Sequence, residues 1–173
     1  GVLSAAVVGC TYFLSVEGRS YGFEIETVTE ELSYPWAMAF LPDDGRLLVT
    51  ERTGQLQLLD PEDGTVRELE GTPAVYAEGQ GGLLDVAPHP DFPDEPWLYL
   101  TYSTANDEGE STTAVGRGRL DDEAGRLEDV EELYAAEPFV ESDDHYGSRV
   151  VFGDDGAVYV TVGDRAFKDF GPD

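Results

Sequence analysis

The sequence predicts an all-β fold, and three observations support this prediction. An apolar strand, a turn rich in Asp, Pro and Gly, and a second strand of alternating aliphatic and aromatic residues recur along the chain. Aspartate-glycine turns between β-branched and aromatic runs are typical of β-hairpins. Helical periodicity is nearly absent, and only the acidic segment 121–132 leaves room for it. Copies about 50 to 60 residues apart are typical of the blades of a β-propeller.

The repeated unit predicts the inner strands of successive blades. It occurs over residues 37–51, 83–102 and 148–162. Four-stranded blades need two further strands after each unit, and alternating apolar residues supply them. The predicted outer strands are 55–60 with 65–69 and 112–120 with 127–134. The sequence therefore predicts about two complete blades and part of a third.

These repeats divide the chain into two regions. Residues 32–173 carry the partial propeller, whereas residues 1–31 precede the repeats. Propellers close with about 4 to 8 blades, and an open arc exposes strand edges and apolar faces that favour aggregation. We therefore expect the chain to be a fragment of a longer protein that continues beyond residue 173.

The first residues predict export. Residues 1–8 (GVLSAAVV) are small and apolar, and they are similar to the end of a secretory signal peptide. Residues 7–10 (VVGC) are similar to a lipoprotein box, whose cysteine is lipidated. We expect Cys10 to be a lipidation site, with a buried thiol as the alternative, and residues 11–31 to form a tether and first strand. The protein is then extracellular or at the cell surface, where lipid at Cys10 anchors it to the membrane.

Composition restricts the partners and the environment. Ten Lys and Arg against 37 Asp and Glu give a formal net charge of −27. Such a surface repels phosphate backbones, so nucleic acid is excluded as a partner. Lys168 is the only lysine. Because salt screens the self-repulsion of an acidic surface, we expect a salt-adapted (halophilic) source, with an acidic protein in an ordinary medium as the alternative. The single cysteine excludes a disulfide framework and a cysteine-rich zinc site.

Three side chains in the predicted loops are candidates for chemistry. Gln80 precedes the first strand of the second blade, His145 precedes that of the third, and Asp164 follows the next strand. Histidine titrates near neutral pH and suits a general base. A glutamine amide both donates and accepts, and glycines beside it allow close approach to a ligand. An aspartate accepts a hydrogen bond from an imidazole. The alternatives are a surface-loop position for His145, a flexible glycine-rich turn at Gln80 and an ordinary turn at Asp164.

Two other motifs have structural interpretations. His89 lies between two prolines in a predicted blade turn, and we expect a structural role for it. The Asp-Asp-Gly segments 43–45 and 154–156 lack the alternating ligands of a calcium-binding EF-hand loop, so they predict hairpin turns. No metal ligand is predicted within this chain.

The motifs around the candidate residues resemble those of the glucose/sorbosone dehydrogenases that depend on pyrroloquinoline quinone (PQQ), the aldose sugar dehydrogenases. The resemblance rests on residues 32–52 (LSYPWAMAFLPDDGRLLVTER), 79–92 (GQGGLLDVAPHPDF), 98–103 and 145–165 (HYGSRVVFGDDGAVYVTVGDR). It implies a six-bladed propeller in which PQQ takes hydride from the anomeric carbon of an aldose sugar and passes the electrons to an external acceptor. It places His145 on the catalytic base, Gln80 on a glutamine lining the site, and Asp164 on the acid that holds the histidine and substrate.

The resemblance is incomplete, and two other functions stay open. The basic residues that contact PQQ in the family, and the carbonyls that bind its Ca²⁺, are expected downstream of this chain, so we expect the chain alone to be inactive. Ala166 stands where the family commonly has glycine. A calcium-dependent propeller lactonase is one alternative, although such enzymes use asparagine ligands and Asn106 is the only asparagine here. A non-catalytic propeller that binds polysaccharide or protein is the other.

Overall fold

The computed structural model describes residues 12–16, 19–23 and 25–167, with side chains from residue 25 onward. This part of the chain consists of strands, turns and loops and contains no helix, which confirms the all-β prediction. The strands are β1 (Tyr12–Val16), β2 (Arg19–Phe23), β3 (Pro35–Phe40), β4 (Leu47–Glu51), β5 (Leu56–Leu59), β6 (Val66–Leu69), β7 (Leu83–Pro88), β8 (Trp97–Ala105), β9 (Ser111–Asp121), β10 (Arg126–Ala135), β11 (Gly147–Phe152) and β12 (Val158–Val162).

The strands form antiparallel sheets in which each strand pairs with its neighbour in sequence. β3 to β6 make one four-stranded sheet, β7 to β10 make a second, and β11 pairs with β12. The predicted inner and outer strands of the first two units are therefore confirmed. The acidic segment 121–132 is a turn followed by most of β10, because its alternating residues pair with β9.

The chain before the repeats differs from the single strand that we expected there. β1 and β2 pair with each other as a hairpin. Cys10 lies outside the described residues, so lipidation and export stay predictions. Within the described part of the chain, no helix has the length and apolar character needed to cross a membrane.

The first two sheets share one core. β7 packs against β3 and β4, and β11 packs against β7 and β8, so the first strands of successive sheets lie side by side. Fully buried leucines from both sheets meet in this core: Leu48, Leu56, Leu83, Leu98 and Leu100. Burying a leucine side chain contributes about 1.5–3 kcal/mol, so contact between the two sheets stabilises both of them.

A threonine in the second strand of each of the first two units links neighbouring sheets. The hydroxyl of Thr50 accepts the N–H of Ala37 at 3.0 Å in its own sheet and donates to the carbonyl of Leu84 at 2.6 Å in the next. Thr101 makes the same two bonds one sheet later: its hydroxyl accepts the main-chain N–H of Asp85 and donates to the carbonyl of Ser148. These bonds fix the first strands relative to one another, and with them the loops that precede those strands.

Candidate active site

The three predicted site residues meet at one end of the sheets. Gln80 lies in the loop before β7, His145 in the loop before β11, and Asp164 directly after β12. The Nδ1 atom of His145 lies 2.8 Å from Oδ1 of Asp164. The N–H of His145 donates to Oε1 of Gln80 at 3.0 Å. Residues as far as 84 positions apart therefore form one continuous hydrogen-bonded group, because neighbouring sheets bring their loops together.

The electrostatics of this group set the orientation of the imidazole. Hydrogen bonds from His145 and from the N–H of Ala166 hold the pKa of Asp164 below its usual range. An ionised carboxylate can only accept hydrogen bonds, so Nδ1 carries the proton of the neutral ring. Among the described residues none hydrogen-bonds to Nε2, and the His145 and Asp164 side chains are each 54% exposed. In the neutral ring, Nε2 is therefore the nitrogen that has a free lone pair.

Main-chain bonds between the two loops hold His145 in an unusual conformation. Its φ is +52°, in the left-handed region that non-glycine residues rarely adopt. Its carbonyl accepts the N–H of Arg165 at 3.3 Å, and the next carbonyl, of Tyr146, accepts the N–H of Gly163 at 2.9 Å. A side chain at Gly163 would clash with the carbonyl of His145. The motif therefore needs glycine there so that the two loops can pack closely.

The glycines beside Gln80 have a different role from the one that we expected. A side-chain carbon at Gly79 would clash with Asp143, and one at Gly81 would clash with the carbonyl of Tyr76. The close approach is thus made to the protein's own chain, and no ligand is needed to explain it. The N–H of Gln80 also donates to the carbonyl of Asp143 at 2.8 Å, which ties its loop to the one that carries His145.

This chain departs from the family motif at Ala166, which stands where the family commonly has glycine. Its φ is +61°, again in the left-handed region. Glycine adopts this region without strain, whereas alanine does not. The loop behind Asp164 therefore keeps the backbone geometry of a glycine although the side chain differs.

Arg165, the neighbour of Asp164 in sequence, has a role that its sequence context does not indicate. Its side chain is buried, with 4% of the residue exposed, although Asp164 beside it is open to solvent. Its guanidinium hydrogen-bonds to the chain that leads into His145. The only signal in the sequence is an arginine next to a candidate site in a chain with few cations.

The residues with structural interpretations lie elsewhere. His89 lies between β7 and β8, at the other end of the sheets, where its ring contacts Phe152 at 5.6 Å between ring centroids. The segments 43–45 and 154–156 form the predicted hairpin turns. Among the described residues, no group of three or more His, Cys, Asp or Glu is arranged to hold a metal ion.

Comparison with known proteins supports the resemblance. The chain is 39% identical over 141 residues to the aldose sugar dehydrogenase YliI of Escherichia coli (strain K12), covering 82% of this chain and 38% of that protein. It is 30% identical over 156 residues to quinoprotein glucose dehydrogenase B of Acinetobacter calcoaceticus, covering 86% of this chain and 32% of that protein. The chain thus spans about a third of the length of these curated relatives.

Solved structures show the same similarity in three dimensions. The apo-form of the soluble aldose sugar dehydrogenase from Escherichia coli matches 80% of this chain and 40% of its own, with 38% identity and a TM-score of 0.74. The PQQ-bound form of aldose sugar dehydrogenase from Streptomyces coelicolor matches 82% of this chain and 41% of its own, with 27% identity and a TM-score of 0.72. The sequence model of the glucose / sorbosone dehydrogenase family matches residues 32–172, and the chain therefore belongs to that family.

Proposed function

We propose that this chain is part of a quinoprotein aldose sugar dehydrogenase, which oxidises the anomeric hydroxyl of a sugar by hydride transfer to PQQ. One observation carries the proposal: His145 is held by Asp164 at 2.8 Å through Nδ1, and no described residue hydrogen-bonds to Nε2 of this half-exposed ring. Such an imidazole is prepared to take a proton. The family membership and the names of the relatives support sugar oxidation as the reaction.

The residues of this chain supply the proton chemistry. Nε2 of His145 takes the proton of the anomeric hydroxyl as the hydride leaves the anomeric carbon, and the sugar becomes a lactone. The carboxylate of Asp164 stabilises the imidazolium that forms and keeps the ring in one orientation. The side chain of Gln80 uses its oxygen for His145, so its NH₂ group is the part that can donate to a sugar or cofactor oxygen.

The residues present fit one side of a PQQ site. When bound, PQQ supplies an electron-poor carbon that accepts the hydride. His145 and Gln80 offer a base and an amide donor beside such a group, and both lie at an open end of the sheets. The basic groups and the Ca²⁺ that complement the carboxylates of PQQ are expected from chain beyond this segment. His145 and Gln80 would therefore hold the reacting side of the cofactor.

The remaining expectations belong to the same proposal. The propeller has six blades, of which this chain supplies the first two and part of a third. The protein is salt-adapted and lies outside the cell or at its surface, where lipid at Cys10 anchors it. An external acceptor takes the electrons, and nucleic acid is not a partner. Residues 1–31 form the leader and the tether, with the β1–β2 hairpin in place of a single first strand, and residues 32–173 belong to the propeller.

Replacement of His145 in the full-length protein tests the proposed function. With PQQ and Ca²⁺ added, H145N should lower sugar-dependent dye reduction by at least about 10²-fold, the usual contribution of a general base. The matched control is H89Q, which changes the other histidine of this chain at the opposite end of the sheets. H89Q should keep the activity of the unchanged protein.

Other outcomes identify the alternatives. Hydrolysis of a lactone that needs Ca²⁺ but not PQQ, without sugar oxidation, would show a propeller lactonase. Binding of polysaccharide or protein that H145N leaves intact, without turnover, would show a non-catalytic propeller. The 173-residue chain alone, mixed with PQQ and Ca²⁺, should not reduce dye, because much of the proposed site lies outside it. Sugar-dependent reduction by this chain alone would contradict that part of the proposal.

A further inference from the structure

The arginine behind the candidate site is buried without an ion-pair partner among the described residues. Arg165 is 4% exposed, and the described salt bridges do not include it. Burial lowers its pKa, but the ordinary pKa of a guanidinium is so far above neutral pH that the group stays charged. A buried charge is costly unless hydrogen bonds satisfy it. Asp143 and Asp144 act on the guanidinium through space, but its hydrogen bonds go only to neutral groups, and in a chain of net charge −27 this requires a specific explanation.

Neutral oxygens of two segments satisfy the guanidinium. Nε donates to the carbonyl of Asp144 at 2.9 Å, and Nη2 donates to the carbonyl of Ser142. Nη1 donates to the carbonyl of Ser111 at 2.6 Å, at the start of β9, and Nη2 also reaches its hydroxyl at 2.9 Å. The guanidinium carbon lies 3.8 Å from the centroid of the Tyr146 ring. The side chain therefore joins β9 to residues 142–146, which form the segment that carries His145.

The main chain of the same residue reaches His145 itself. The N–H of Arg165 donates to the carbonyl of His145 at 3.3 Å, and Asp164 precedes it in sequence. The side chain of Arg165 thus fixes the segment on both sides of His145. Its main chain bonds to His145 and thereby fixes the adjacent Asp164, which bonds to Nδ1. The left-handed backbone of His145 is a strained conformation that persists only where surrounding contacts enforce it.

We propose that Arg165 is a positioning residue, whose buried guanidinium holds residues 142–146 so that the imidazole of His145 lies against Asp164. Its catalytic consequence rests on the proposed function, whereas its structural consequence does not. Arginine is needed because its planar group presents five N–H donors in a fixed arrangement. A lysine would keep the charge but would bond to these separate acceptors from a single point.

The first test measures His145 in the full-length protein without cofactor. Proton–nitrogen NMR of the imidazoles reports the Nδ1–H that bonds to Asp164, assigned by its loss in H145N. In R165Q and R165K this signal should weaken and exchange faster, while His89 serves as an internal reference. Hydrogen exchange measured by mass spectrometry should rise in residues 142–147 and stay unchanged in β3 to β6.

The second test measures turnover after loading with PQQ and Ca²⁺. Misplacement of a reacting group by about 1 Å can cost about 10²-fold, and we expect kcat of R165Q and R165K to fall by at least about 10-fold. The sugar KM should change by less than about 3-fold, because Arg165 does not touch the substrate. Guanidinium ion, below concentrations that unfold the protein, should restore part of the activity of R165A, whereas equal NaCl should not.

Two controls separate positioning from general stability. R119Q removes an exposed arginine on β9 and should leave the NMR signal and kcat unchanged. L127A should destabilise the core without changing the Nδ1–H signal. The proposal is overturned if R165Q keeps the Nδ1–H signal and the kcat of the unchanged protein, or if R165K keeps both. If R165Q does not fold, R165K decides, and an unchanged Nδ1–H signal with unchanged exchange in residues 142–147 of R165K would overturn the proposal equally.

The two proposals fail in different ways. Absence of sugar-dependent turnover in the unchanged full-length protein would overturn the proposed function. The NMR and exchange measurements use the protein without cofactor, so they still decide whether Arg165 positions His145.

Discussion

Replacement of Asp85 tests how the second and third sheets are held together. Its side chain is 4% exposed and lies on β7. One carboxylate oxygen accepts the buried N–H of Val150 at 2.8 Å, and the other accepts Nη1 of Arg149 at 3.0 Å. Both partners lie on β11, so D85A removes a connection between two sheets.

The two hydrogen bonds should contribute very different amounts. Loss of the carboxylate leaves the N–H of Val150 buried without an acceptor, which costs about 1–3 kcal/mol. The arginine side chain is 65% exposed, so its ion pair contributes only about 0–1 kcal/mol. Removing a buried charge also returns its desolvation cost, which offsets part of the loss. We expect D85A to lower the free energy of unfolding by about 1–3 kcal/mol and R149Q by less than about 1 kcal/mol.

Urea unfolding of the full-length protein, followed by tryptophan fluorescence and extrapolated linearly, measures both effects. D85N keeps one acceptor oxygen and should lie between the other two variants. Added NaCl should reduce the effect of R149Q and leave most of the effect of D85A, because salt screens an exposed ion pair but not a buried hydrogen bond. The reasoning is refuted if D85A is as stable as the unchanged protein, or if R149Q costs as much as D85A.

Four further predictions concern single features of the structure. A166G should raise the free energy of unfolding by about 0.5–1 kcal/mol, because glycine adopts the left-handed backbone without strain; equal or lower stability by urea titration would contradict this. T50V should cost about 1–3 kcal/mol because it leaves main-chain groups of two sheets unpaired, whereas the exposed control T53V should change stability by less than about 0.5 kcal/mol. The urea midpoint should rise between dilute buffer and molar NaCl, since salt screens the net charge of −27, and a flat or falling midpoint would argue against salt adaptation. A hydrogen bond from Arg46 lowers the pKa of Asp122. The stabilisation from this carboxylate is therefore complete above the usual carboxyl pKa and is lost as pH falls through the lowered value. Because D122N lacks this carboxylate, its stability should fall less in acid than that of the unchanged protein.

The order of strands could be predicted because its determinants are local. Each hairpin of the repeats combines a turn that contains Asp, Pro or Gly with alternating residues within about a dozen positions, and both are visible in the sequence. The hairpin β1–β2 was predicted only as a single strand, because its flanking sequence lacks the repeated unit. Local patterns thus determine which strands exist and which neighbours they pair with.

The site could be predicted only in part, for a physical reason. Gln80, His145 and Asp164 stand out because their residue types and glycine neighbours suggest chemistry. Asp85 and Arg165 do not stand out, because their partners are up to 65 residues away and include main-chain groups. A carbonyl acceptor leaves no trace in the residue type that carries it. The residues that hold the site were therefore found only from the structure.

This difference also explains what maintains the geometry of the site. The hydrogen bond between His145 and Asp164 joins two side chains that are each 54% exposed, and exposed polar contacts contribute little net stability, so that contact alone does not hold the imidazole in place. The backbone at His145 and Ser148 is strained and must be held by its surroundings. Buried bonds from Arg165, and those from Asp85 and Thr101 between sheets, supply that support. The accessible residues can thus be free to react because the hydrogen bonds of buried residues behind them hold the loops in place.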